Sequence, residues 1–197
     1  LDRTLQRIRE EEVAGDLVEC GTSRGGGAIY MRGFLEAYEL SERQVWVADR
    51  FRATPMDTSV HPLEDGGVEN LRADLNQIRS GFARFGLLDD RVRFLQGGFA
   101  DTLPDAPIER IALLRIGICS GPDIVTVLEH LYDRVEPDGF VLVEDLSDSA
   151  CRDALEDFRR SRSLPEPLEQ VGASGAAWRK TAHRAEVPAE RRRDGSR

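Results

Sequence analysis

Two acids and a run of glycines give this chain the means to hold a nucleoside. Glu19-Cys20-Gly21-Thr22-Ser23-Arg24-Gly25-Gly26-Gly27 closes a short apolar run that starts at Asp16. Glycines let the backbone come close to a ligand, and a helix beginning after them offers unpaired N–H groups to an anion. Asp49 ends a second apolar run, Val45-Trp46-Val47-Ala48. An acid at such a strand end can accept hydrogen bonds from both ribose hydroxyls. The glycines do not follow the GxGxxG spacing, and no Gly-Lys-Ser/Thr follows them, so the dinucleotide fingerprint and the phosphate loop are both missing. A ribose acid with a glycine turn but no pyrophosphate motif suits a mononucleoside, and S-adenosylmethionine is one. The plainer alternative is a tight turn and a loop cap with no ligand.

Glu144-Asp145 follows a further apolar run, Phe140 to Val143. By its residues alone such a pair can be a solvated loop. His61 and Asp74 are candidate general bases, with Asp145 a third. His130, His183, Trp46 and Trp178 read most simply as structural or solvated residues.

The elements that must position these residues alternate. Strand patterns cover 16–20, 45–49, 92–95, 110–116 and 140–143. Helical patterns cover 2–13, 28–38, 68–85, 121–134 and 148–162. Pro137-Asp138-Gly139 reads as a turn, 52–67 as an irregular loop, and 165–171 with 176–180 as a closing strand pair. Alternation of this kind implies an α/β fold with a mainly parallel sheet and helices on both faces. Ligands then bind beyond the carboxyl ends of the strands.

The 197 residues suit one domain over 1–181, with 182–197 expected as a charged, disordered tail. The net charge of −9 argues against a nucleic-acid surface. No apolar run is long enough for a membrane span, and no leader pattern is present. Cys20, Cys119 and Cys151 form no CxxC pair, which points to reduced thiols and a cytoplasmic setting. The chain opens on Leu1, as a processed chain or a piece of a longer one would.

Several stretches together resemble the macrocin O-methyltransferase (TylF-like) family. They are Gly15 to Gly21 with Arg24-Gly25-Gly26, Val45 to Asp49 with Phe51, Phe85 to Leu95 running on to Gly97, Phe99 and Asp101 to Pro104, and Pro107 to Arg115. The resemblance implies a Rossmann-like class I methyltransferase with seven strands, the last antiparallel. It implies S-adenosylmethionine as cofactor and a hydroxyl of a small molecule as acceptor, often a sugar in antibiotic biosynthesis. It also implies a homo-oligomer. By position Glu19, Gly21, Thr22, Ser23, Gly25, Gly26, Asp49, Arg50, Gly97 and Phe99 take cofactor roles, and Arg24 supports the turn.

The family commonly uses magnesium, held by an Asp after the fourth strand and an acidic pair after the fifth. Glu144-Asp145 keeps the pair. Where the family reads Met-Asp-Gly-Asp-Leu-Tyr-Glu-Ser, this chain reads Ile116-Gly117-Ile118-Cys119-Ser120-Gly121-Pro122-Asp123, so Gly117 and Cys119 replace the two Asp. Arg50, Arg52 and Ala53 stand where the family has Ser, Glu and Gly, and Ser23 and Gly98 each replace a Trp. Three readings follow. Methyl transfer could proceed without a metal, or with one held by Glu144, Asp145 and a displaced ligand such as Asp123. The third reading is a repurposed protein, cyclase-like or a non-catalytic partner.

Overall fold

The computed structural model describes residues 1–51, 74–117 and 120–181. In chain order the elements are α1 (Asp2–Glu10), β1 (Asp16–Cys20), α2 (Gly26–Ala37), β2 (Val45–Asp49), α3 (Leu75–Arg84), β3 (Val92–Gln96) and α4 (Phe99–Thr102). There follow β4 (Ile111–Ile116), α5 (Gly121–Leu131) with a 3-10 turn to Arg134, β5 (Val135–Val143), α6 (Ser149–Ser161), β6 (Glu169–Val171) and β7 (Gly175–Arg179).

The seven strands form one sheet in the order β3-β2-β1-β4-β5-β7-β6. The first five pair in parallel, and β7 runs antiparallel to β5 and β6. Strands buried on both faces should read as continuous apolar runs, and β4 is buried along its whole length. Alternate residues of each strand feed two cores. Val18, Ile111, Leu114 and Val141 pack with α5 and α6 on one face. Leu17, Val47, Leu113 and Leu142 pack with α1, α2 and α3 on the other. The chain order reverses direction between β1 and β4, and in open sheets ligands settle beside such a switch point.

The expected strands are found, with two corrections. Pro137-Asp138-Gly139, read as a turn, lies inside β5. The register passes from the pair Ile111–Val135 to the pair Leu113–Phe140, so the turn residues form a bulge in a continuing strand, with Asp138 at φ 69°. The helix expected from 68 begins at Leu75, because Asp74 is its extended N-cap; residues 68–73 lie outside the described residues. The tail at 182–197 and the loop at 52–67 also lie outside them. Among the described residues no helix is long and apolar enough to cross a membrane.

Candidate active site at the carboxyl edge of the sheet

The strand exits are stitched into one row. Gly97 N–H donates to Asp49 O at 3.0 Å, Gly21 N–H to Ala48 O at 2.9 Å, Gly117 N–H to Cys20 O at 2.9 Å and Glu144 N–H to Ile116 O at 2.9 Å. The row fixes the candidate residues of β1 to β5 relative to one another.

The first turn is organised by two carboxylates. Asp49, buried at the exit of β2, accepts Thr22 N–H on Oδ2 at 2.8 Å and Phe51 N–H on Oδ1 at 3.0 Å. Glu19 accepts the Thr22 hydroxyl at 2.6 Å. Thr22 therefore joins the two acids, one through its backbone and one through its side chain. Ser23 stands at φ 51°, and Gly25, at φ 79°, is the N-cap of α2, so the helix starts two residues earlier than its apolar pattern suggests. Beside the exits of β2 and β3 lies a concavity of about 520 Å³ lined by Arg50, Gln96, Gly97, Gly98 and Asp101. Phe99 is buried in the core on the α5 face. A larger hollow of about 880 Å³ sits at the opposite edge of the sheet, among Arg9, Asp16, Arg43 and Arg110; it touches none of the candidate residues.

Sequence reasoning missed Arg115 as a site residue. It faces Glu19 directly in the β1–β4 ladder. Its Nη1 lies 2.5 Å from Glu19 Oε2, a contact of charge without the alignment of a hydrogen bond. Its Nε donates to Glu144 Oε1 at 2.9 Å, and its Nη2 meets Glu144 Oε2. The guanidinium thus bridges a fully buried acid and a half-exposed one. Burial pushes the Glu19 carboxyl up to about 7, against the pull of Arg115 and the Thr22 hydroxyl. Burial also works against the Arg115 cation, but Glu19 and Glu144 outweigh it and raise its pKa, so the guanidinium stays charged. The signal was available: a cation inside the apolar run of β4 demands a buried partner.

A family model described as Macrocin-O-methyltransferase (TylF) matches residues 1–180. The chain belongs to the macrocin O-methyltransferase family. One relative is the 8-demethyl-8-(2,3-dimethoxy-alpha-L-rhamnosyl)-tetracenomycin-C 4'-O-methyltransferase of Streptomyces olivaceus. It is 40% identical over 190 residues, covering 92% of this chain and 72% of that protein. Mycinamicin III 3''-O-methyltransferase of Micromonospora griseorubida is 36% identical over 190 residues, covering 92% and 75%. Among solved structures, the O-methyltransferase NovP superposes with a TM-score of 0.82 at 34% identity, covering 91% of this chain and 77% of its own. The fold is accordingly that of a Rossmann-like class I methyltransferase, and the chain is an O-methyltransferase by family.

The positions that the resemblance assigns to magnesium ligands fare differently from one another. Glu144 is clasped by Arg115 through both oxygens. Asp145 Oδ1 accepts Ser147 N–H at 2.9 Å and the Ser174 hydroxyl at 3.1 Å. Gly117 carries no side chain. Asp123 belongs to the cap of α5, where it bonds Ser120, and its Oδ1 faces Arg50. Cys119 lies outside the described residues. Among the described residues no group of three His, Cys, Asp or Glu side chains is placed to hold a metal. The donor set does not fit magnesium.

The described candidate bases are differently engaged. Asp145 is exposed on the carboxyl edge. Asp74 is occupied in a reciprocal cap, accepting Gln77 N–H at 2.8 Å. His61 lies outside the described residues.

Proposed function

We propose that this chain transfers the methyl group of S-adenosylmethionine to a hydroxyl of a small natural product, on a sugar that the product carries. The observation that supports the cofactor reading best is the placement of Asp49. Its two oxygens are held by Thr22 and Phe51 N–H groups, beside the concavity of Arg50 and Gly97. Each carboxylate oxygen has a second lone pair, and two ribose hydroxyls would use them. Gly21, Thr22, Ser23, Gly25 and Gly26 would carry the methionine part along the first turn, with Glu19 beneath it.

The names of the relatives support the acceptor class. One is named for a rhamnosyl-bearing tetracenomycin, the other for mycinamicin III. The reaction is an in-line displacement. A lone pair of the acceptor oxygen forms the new O–CH₃ bond, the C–S bond breaks toward sulfur, and the hydroxyl proton leaves. Holding oxygen, carbon and sulfur in line contributes several kcal/mol of the acceleration. Asp145, exposed at the exit of β5, would take that proton.

Titration calorimetry tests the reading. Folded protein should bind S-adenosylmethionine with micromolar affinity. No heat at a millimolar excess of cofactor would reject it.

A further inference from the structure

We infer that the guanidinium of Arg115 supplies the fixed positive charge at the exits of β1, β4 and β5, and that this chain works with no divalent cation there. The inference rests on the methyl-transfer reading of the same edge.

Three observations converge. The first is the bridge itself: Arg115 lies between Glu19 and Glu144, with its side chain only 10% exposed. A guanidinium is planar and permanently charged, and it matches a carboxylate through two parallel contacts. A cation entering at Glu144 would have to displace that fork or sit against it, and like charges so close repel strongly.

The second observation concerns Gly117. A Cβ built on it would stand 2.1 Å from Gly21 O, a backbone atom that cannot swing aside. The strand exit is closed against a side chain, and not merely lacking one. Gly117 and Gly21 are drawn together because each joins the row of bonds at the edge. The third is Asp145, whose Oδ1 is turned onto Ser147 and Ser174.

The chemistry allows this. The methyl donor is already a cation, so its reaction with an oxygen lone pair disperses charge, and no external Lewis acid is required for balance. Arg115 does not touch the reacting atoms in this arrangement. It is a positioning residue, holding the Glu144 carboxylate in a fixed place beside Asp145 and neutralising part of the charge of Glu19. The acceptor oxygen would then be oriented by side chains.

Manganese(II) reports on the site because it accepts the same oxygen ligands as magnesium and its free aquo ion has a strong paramagnetic resonance signal. Titrating the intact chain with manganese alone, and again with S-adenosylhomocysteine added, should leave the free-ion signal undiminished. In parallel, the calorimetric affinity for S-adenosylmethionine should be equal in magnesium and in chelator. Removal of one manganese per chain at micromolar concentration, reversed by Glu144→Gln, would overturn the inference. So would a tenfold loss of cofactor affinity in chelator. A failure to bind cofactor under both conditions would instead sink the methyl-transfer reading and leave the manganese result standing by itself. Gly117→Ala supplies the second arm: its melting temperature should fall. An unchanged melting curve would show that the β4 exit accepts a side chain and overturn the closure argument.

Discussion

Arg50 and Asp123 face one another across the exit of β1, with Arg50 Nη2 3.7 Å from Asp123 Oδ1. The pair links the loop after β2 to the first turn of α5. Arg50 is 55% exposed in its side chain, so the pair adds at most about 1 kcal/mol to stability. Its weight should fall on the ligand, because Arg50 also walls the concavity beside Gly97. Arg50→Ser is expected to leave the melting temperature nearly unchanged. It should weaken cofactor binding about threefold to fivefold, the worth of one exposed guanidinium on a ring face. Calorimetry beside a thermal melt separates the two effects.

Asp49 carries both a structural and a binding role. Asp49→Ala leaves the Thr22 and Phe51 N–H groups without their acceptor, at a cost of about 1–3 kcal/mol each if water does not replace it. Asp49→Asn keeps one acceptor oxygen and the shape. It should melt within a few degrees of the parent while losing at least about tenfold in cofactor affinity, since the charged acceptor is gone. Equal affinity of Asp49→Asn and parent would remove the ribose role from this residue.

Gly27 lies over the Arg115 bridge. A Cβ there would stand 2.5 Å from both Glu19 Oε2 and Arg115 Nη1. Gly27→Ala should push the pair apart and destabilise the fold by about 2–4 kcal/mol, as loss of a buried ion-pair contact does. The alanine is otherwise a better helix residue in α2, by about 1 kcal/mol. A denaturant midpoint that rises would mean the bridge yields without cost.

Acid should find a different weak point. Arg32 is buried on α2, with Nη2 2.5 Å from Asp89 Oδ2, and Arg91 Nη2 lies 2.9 Å from the same oxygen. The hydrogen bond from Arg32, with help from Arg91, holds the Asp89 carboxyl down at about 2, below its usual 3.8. A depressed acid pKa means the unfolded chain binds the proton first, so the contribution is present above about 4 and fades as pH falls toward 2. Asp89 is partly exposed, so screening reduces its effect. Asp89→Asn should cost about 1–2 kcal/mol at neutral pH. It should also flatten the loss of stability between pH 4 and 2, as read from melts across that range.

The fold was legible because its strands are buried on both faces and its helices on one. A run such as Ile111-Ala112-Leu113-Leu114 has no other use in a chain of this size. What escaped was geometry set by distant partners. The β5 bulge escaped because a Pro-Asp-Gly sequence has the same local preference in a turn and in a strand that continues past it. The four-residue helix α4 is too short to show a period. At the site, Glu19 and Asp49 were legible from their positions at strand ends. Arg115 was passed over because a single charge in a strand names its own need for a partner but not which partner, and only the β1–β4 register brings Glu19 opposite it.

The close approach of Gly117 to Gly21 also bears on how the chain can change over generations. One base substitution turns a glycine codon into an aspartate codon, so an acid at this position looks a single mutational step away. The carbonyl at Gly21 blocks that step, since the new side chain would arrive before the backbone had made room for it. Variants of this sequence that place an acid at the exit of the fourth strand would first have to reshape the turn after the first. The glycine at this exit is therefore held in place by two main chains in contact.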